Sequence, residues 1–476
     1  VCLSAFSARD AADFFGMWYG RRTVTIDLGL TGVDRGWPGL RPRTWRDLRT
    51  WCVSVLRTML DGRGRAGWSW QDEGIGVHVG GLAMERLTGS IRQYAWGSTT
   101  GVPTILGTEP DGNPQAEYWL GAHPLAPSQL SSGEPLTQHL HVHPDELGSA
   151  GQRFEERLPY MMKIVSAARP MSLQAHPNDE QAWEGFAADN EHGLTLDSPD
   201  RTFLDPWGKP EIFVAMDEVD VLHGFRDPIQ TRTLFDALDV HASLDQVIGP
   251  LTERRSSAGL AEVFLDCLSG GPEREAWVSE VTSAAVNHVD DEGELGVFAR
   301  TAVALDEHHP SDPSILAALL LNHRHLHRGD ALLVDPGTLH CYLTGTGVEL
   351  AANSSNVVRG GLTHKHIDID RLISIVNFVT QPIDLVELVS VGAGMGRYDT
   401  QYPQFQLYRF DLDVDQPAMA PRSDQPRILL MTGGYVVCTS PSGTDELVHG
   451  MAAWIPAGEQ VQLNGDCEGF IASPGM

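Results

Sequence analysis

The stretch "GDALLVDPGTLHCYLTGTGVELAANS", residues 329–354, decides the fold class. Short apolar runs alternate with Asp, Pro and Gly. The stretch reads as strand, turn, strand, a Gly-Thr-Gly hairpin and a further strand. Gly329, Gly337 and His340 stand at offsets 0, 8 and 11. The same offsets recur at Gly450, Gly458 and Val461, in "GMAAWIPAGEQV" (450–461). One β-unit therefore occurs twice, and only the first copy carries a histidine at its last position.

Working outward, residues 84–226 are short apolar runs such as "YMMKIVSA", "MSLQAH", "EIFVAM" and "VDVLHGF", broken by Gly, Pro, Asn and Asp. This punctuation predicts strands throughout. Residues 227–325 change to helical spacing in "TRTLFDALDV", "SAGLAEVFLDCL" and "SILAALLLNHRHL". Strand punctuation returns for 326–394 and continues through 395–476. The repeated unit resembles the cupin jelly roll, in which a G-x5-P-x-G-x2-H turn aims a histidine into the barrel as a metal ligand. Asp335-Pro336 departs from the turn pattern but leaves the glycine and histidine in register. The expected fold is mainly β. Two cupin barrels are expected, the first split into 84–226 and 326–394 around a helical insertion at 227–325. The second barrel, 395–476, is expected to hold no metal, because Val461 replaces the histidine.

Residues 1–83 differ in character. They hold six of the twelve tryptophans, no lysine, and 11 Arg against 8 acidic residues, while the whole chain has net charge −29. The segment is expected to be translated upstream sequence or a disordered extension, with Met84 as the native start. A basic arm that binds a partner is the alternative. The overall negative charge argues against nucleic acid or anionic membrane as partner. No apolar run is long enough to span a bilayer. The six scattered cysteines contain no CxxC and predict a reduced, cytoplasmic protein.

In "MSLQAHPNDE" (171–180), Gln174 and His176 are two apart and share one face of a strand. On these ten residues alone, an edge strand with two ordinary polar residues is the simpler reading. Glu211 in "GKPEIF" and His340 in "DPGTLH" change it. Two imidazoles, a carboxylate and a carboxamide form a mixed set suited to zinc, which manganese and iron(II) also accept. Lysine is the other signal. Of 34 basic residues only Lys163, Lys209 and Lys365 are lysine. Such a bias suggests GC-rich coding, and the survivors are expected where a compact ammonium is needed and a guanidinium will not serve.

Residues 84–476 resemble type I phosphomannose isomerases. The resemblance rests on "YAWGS" (94–98), "AEYWLGAHP" (116–124), "SLQAHPN" (172–178), "GKPE" (208–211) and "GTLHCYLTGTGVELAANSSNVVRGGLTHKHID" (337–368). It implies one Zn2+ at Gln174, His176, Glu211 and His340. It implies Arg359 as a catalytic residue. The chemistry of the implied reaction leaves the proton carrier open among Glu349, Lys209 and a ligand-bound water. The resemblance places Trp96, Lys163, Ser172, Tyr342 and Lys365 at the substrate, with Lys163, Lys365 and Ser172 as candidates for the phosphate. The implied reaction interconverts mannose 6-phosphate and fructose 6-phosphate through an enediol(ate), in a monomer. His123, His223 and His366 are read as structural or exposed. Two departures stand out. The family usually reads N-S-D-N-V where this chain has Asn353-Ser354-Ser355-Asn356-Val357, and T-P-K where it has Thr363-His364-Lys365. A metal-dependent cupin oxygenase and a sugar-phosphate-binding cupin without turnover are the competing functions. The first would not explain the lysines, and Ser355 keeps the second open.

Overall fold

A computed structural model describes residues 83–240, 244–254, 257–365, 367–382 and 384–475. The expectations for the segment before residue 83 and for His366 fall outside them. The described residues are mainly β, in two antiparallel sheets of ten and eleven strands. No helix among them is long and apolar enough to cross a membrane.

The ten-stranded sheet is organised by one long strand, His340–Ala352. Its second half pairs with Tyr160–Ala167 on one side and Glu211–Ala215 on the other. Its first half pairs with Leu173–Ala175 and Val219–Phe225. The register slips between Tyr342 and Thr344. Such irregularities sharpen twist and let one strand serve two faces of a closed structure. Gly345, at φ +106°, sits at this bend, where an added Cβ would lie 2.6 Å from the Glu218 carbonyl oxygen.

The eleven-stranded sheet centres on Arg427–Ser440, paired with Ala452–Ile455 and Cys467–Ser473. The repeated unit is visible in both sheets. Strands Ala331–Val334 and Ala452–Ile455 are each followed by a proline and a left-handed glycine, Gly337 (φ +84°) and Gly458 (φ +94°). Val461 is then fully buried in an apolar cluster with Leu463, Leu429 and Ile455, so this copy presents no ligand. The first strand of the described chain, Glu85–Thr88, pairs with Ala452–Trp454 and so joins the C-terminal sheet. A shared core of Met162, Ile164, Val348 and Leu350 from one sheet and Ile428, Leu430, Trp454 and Phe470 from the other joins the two. The Tyr160 hydroxyl, buried at that junction, donates within reach of the Pro426 and Ala472 carbonyls, at 3.1 and 3.2 Å.

Among the described residues, seven α-helices between Pro228 and Ala318 separate the paired strands Val219–Phe225 and Leu321–Leu326. The first starts cleanly. Pro228 needs no donor at that position, and the Asp227 carboxylate accepts from the amides of Ile229 and Gln230. Such a cap stabilises by about 1 kcal/mol. Two local expectations need correction. "LNHRHL" is strand and not helix, because Leu321–Leu326 has a partner waiting in Val219–Phe225. Asp179–Glu191 is a helix inside a region expected to be all strand. Its signal is a capping box, since the Asn178 side chain accepts from the Gln181 amide and Gln181 accepts from the Asn178 amide.

Candidate active site

Cross-strand rows bring the site together. Arg359, Gln174, His340 and His223 are successive neighbours across four strands. Trp119, Lys163, Glu349 and Phe213 form a second row. Directly opposed residues share a face, so sequence separations of up to 230 residues collapse to one layer each.

His176, Glu211 and His340 are fully buried and offer ligand atoms within 4.8 Å of one another. His176 Nδ1 is 2.8 Å from the Asn356 carbonyl, and His340 Nδ1 is 3.1 Å from the Thr338 carbonyl. A carbonyl only accepts, so both Nδ1 atoms carry the proton. Both Nε2 atoms therefore present lone pairs. They point at the Glu211 carboxylate, 3.3 and 3.8 Å away, which is also an acceptor. His176 Nε2 has no hydrogen-bond partner. Acceptors facing acceptors in a dry site leave room for one kind of guest, a cation. Burial, together with His176, pushes His340 down to about 3, and burial lowers His176, so both imidazoles stay neutral and able to ligate. Burial alone would raise Glu211, but the charged groups around it, Lys209 among them, outweigh it and hold the carboxylate ionised. The Gln174 amide lies 3.2 Å from His340 Nε2. Which of its two atoms faces inward is interchangeable by a flip, so its oxygen can complete the set.

Lys209 stands two residues before Glu211, so a strand running through both would put them on one face, but Lys209 is not on the strand. The strand begins at Glu211, and Lys209 sits in the preceding loop, its amide donating to the Pro177 carbonyl. Its ammonium is nevertheless 3.0 Å from Glu211 Oε1. Lys163, expected at the phosphate, lines the same cavity as Lys365 and is buried, with its ammonium 2.6 Å from Glu349 and 5.7 Å from the Trp119 ring centroid. Burial would lower Lys163, but Glu349, Glu117 and Glu211 raise it and keep it charged. Burial and Glu211 push Glu349 up to about 7 against the pull of Lys163.

These groups open onto a cavity of about 650 Å³ lined by Trp96, Ser172, Gln174, Lys209, Arg359 and Lys365, among others. Tyr342, expected at the substrate, is set back from the cavity. It lies outside that lining, 2% exposed, with its ring against Phe213. Arg359 and Lys365 pair with no carboxylate among the described residues. Burial lowers both, and Arg359 lowers Lys365 further. His123, read from the sequence as structural or exposed, and Trp119, Glu117 and Arg169, which sequence reasoning passed over, also line the cavity. His123 is buried there, 3.0 Å from the Ser355 hydroxyl. "AEYWLGAHP" contains three of the four, and Trp119 faces Lys163 by register, which was the available signal. His223 bonds the Leu333 carbonyl and lies outside the lining, as a structural histidine would. Another cavity, of about 840 Å³, lies between the helices and Leu321–Leu326, but among the described residues no buried ligand set opens onto it.

Fold and site together define a β-protein with a buried His-Glu-His set able to hold a metal ion, beside a small-molecule cavity whose lining includes Lys209, Arg359 and Lys365. Residues 84–228 match the family model of the phosphomannose isomerase type I catalytic domain. Mannose-6-phosphate isomerase of Escherichia coli K12 is 30% identical over 385 residues, covering 79% of this chain and 95% of that protein. The Homo sapiens enzyme of the same name is 27% identical, covering 79% and 94%. Among solved structures, mannose 6-phosphate isomerase of Salmonella typhimurium bound to its substrate F6P and zinc superposes with TM-score 0.75 at 28% identity, covering 83% of this chain and all of the other. A zinc- and yttrium-bound mannose 6-phosphate isomerase gives the same values. The chain belongs to the type I phosphomannose isomerase family.

Proposed function

We propose that this protein is a zinc-dependent aldose–ketose isomerase that interconverts mannose 6-phosphate and fructose 6-phosphate, built as two cupin-type barrels with the helices inserted in the first. The carrying observation is the set of His176, Glu211 and His340 acceptors facing one point, beside a cavity whose cations Arg359 and Lys365 have no carboxylate partner among the described residues. A sugar phosphate supplies what both lack. Its phosphate meets Arg359 and Lys365, with the Ser172 hydroxyl as a further donor. Its C1–C2 end then lies toward Glu211, Lys209 and Glu349.

A zinc ion held by Gln174, His176, Glu211 and His340 would supply electrostatic stabilisation for negative charge developing on the sugar oxygens. The chain's own groups do the rest. Moving a proton between C2 and C1 passes through an enediol(ate). Lys209 is placed to donate to an oxygen of that intermediate while Glu211 holds its ammonium. Glu349, raised toward neutrality, can hold or release a proton near pH 7. Lys163 fixes Glu349 in place through the 2.6 Å pair. All four cysteines described as free are buried, which supports a reducing, cytoplasmic setting.

The test is a coupled assay of mannose 6-phosphate conversion with zinc-loaded protein. Turnover is expected. Binding of the sugar phosphate without turnover would favour the second reading, a sugar-phosphate-binding protein, which rests on Ser355. Neither binding nor turnover would reject both.

A further inference from the structure

The strands Val219–Phe225 and Leu321–Leu326 carry a second set of ligand-type side chains, and none of its metal ligands lines the candidate active site. Their register pairs Asp220 with His325 and Leu222 with His323. Alternation therefore sends His323, His325 and His327 to one face, together with Asp220 and Glu218. Glu218 Oε2 stands 2.7 Å from His325 Nε2 and 2.8 Å from His327 Nδ1. These three ligand atoms lie within 4.8 Å of one another, in the open. Behind them, His325 Nδ1 is 2.9 Å from Asp220 Oδ1, and His323 Nε2 is 3.4 Å from the same oxygen.

We propose that Glu218, His325 and His327 form a surface site for a borderline divalent cation such as Zn2+, with Asp220 orienting His325. Imidazole nitrogen with carboxylate oxygen is the donor set such ions take. A ligating histidine characteristically gives its other ring N–H to a carboxylate, and Asp220 is in that position. Both ends of the set are anchored. The neighbouring Asp217 carboxylate accepts from the Thr346 amide, and the His327 amide donates to Asp330. Solvent would complete the coordination, since all three ligands are exposed. The ion would tie together the two strands from which the helical segment departs and to which it returns.

Equilibrium dialysis of the full chain against buffered Zn2+, read by elemental analysis, tests this. Two zinc ions per chain are expected in the wild type. His325→Ala/His327→Ala should bind one, with kcat unchanged, and His340→Ala should also bind one. Asp220→Asn should keep both sites but weaken the surface one by about 10–100-fold. One zinc in the wild type would overturn the proposal, as would two in the His325→Ala/His327→Ala variant. Loss of kcat and of all zinc in that double variant would place both ions in one site and overturn it equally.

Discussion

The Lys163–Glu349 pair offers a way to separate what the site needs for stability from what it needs for chemistry. The two residues are opposed in register, 2.6 Å apart, with side chains 7% and 4% exposed. A pair this dry has cost its partners their hydration, and removing one member leaves the other without compensation. Lys163→Met should therefore destabilise the protein by about 3–5 kcal/mol, and Glu349→Leu by a similar amount. Lys163→Met should fall toward the lower end, because Glu349 is already pushed up to about 7 and can take a proton. The double variant Lys163→Met/Glu349→Leu replaces a buried ion pair by apolar side chains of similar volume. It should return to within about 1 kcal/mol of wild type or exceed it by about 1–4 kcal/mol. Activity should not return with stability. Losing a proton-handling group costs about 10²–10⁴-fold in rate, and the double variant keeps that loss. The measurement is urea unfolding at fixed free zinc, since bound metal adds its own stabilisation, alongside the coupled isomerase assay. A double variant no more stable than either single would refute the energetic reasoning. A double variant with near-normal kcat would refute the catalytic placement of Glu349.

A strong chelator should abolish turnover and zinc restore it, while His340→Ala should lose catalytic zinc; full activity in protein shown metal-free by elemental analysis contradicts this. Lys209→Arg should lower kcat by about 10²-fold with zinc content unchanged, because a guanidinium does not give up its proton; Lys365→Arg should mainly raise KM. Gly337→Ala forces a side chain into φ +84°, with its Cβ 2.5 Å from Asn377 Nδ2, in the turn that aims His340, and should cost about 1–3 kcal/mol in thermal or urea melts. Burial and Lys163 push His123 down to about 3, so below its unfolded value of about 6.5 the unfolded chain binds the extra proton. Stability should fall by about 1.4 kcal/mol for each pH unit below about 6.5, and His123→Gln should remove that share of the slope.

Much of this was legible because β-structure writes itself in short periods. The doubled glycine spacing located two equivalent turns, and the structure puts Gly337 and Gly458 in the same left-handed conformation. The Gln174–His176 alternation and the three surviving lysines pointed at one cavity, though Lys163 turned out to serve Glu349. What period-two reasoning could not supply was pairing. Nothing local in "LNHRHL" says that Val219–Phe225 is its partner, and nothing local puts Trp119 opposite Lys163. Those facts are long-range register, set by the long strand His340–Ala352 and its neighbours. Lys209 failed the alternation rule for a related reason, since Pro210 withholds a donor and delays the strand to Glu211.

Position 355 shows how such register-dependent contacts bear on the chemistry. Asp205 gathers the loop around it. One carboxylate oxygen accepts from the Ser354 hydroxyl at 2.8 Å, and the other accepts from the Ser355 amide at 2.7 Å. The Asn356 side chain donates to the carbonyls of Asp205 and Trp207, and its own main-chain carbonyl receives His176 Nδ1. The loop therefore keeps its shape, and fixes the tautomer of a metal-ligand candidate, through Asp205 and without a carboxylate at 355. What serine changes is the partner of His123. His123 Nδ1 accepts from the Leu125 amide, which leaves Nε2–H to donate to the Ser355 hydroxyl. A carboxylate there would favour a charged imidazolium. A hydroxyl leaves His123 neutral, among Lys163, Lys209 and Arg157, whose charges all push it the same way. In the proposed reaction, proton handling is therefore assigned to Glu349 and Lys209 and not to a pair at 123 and 355.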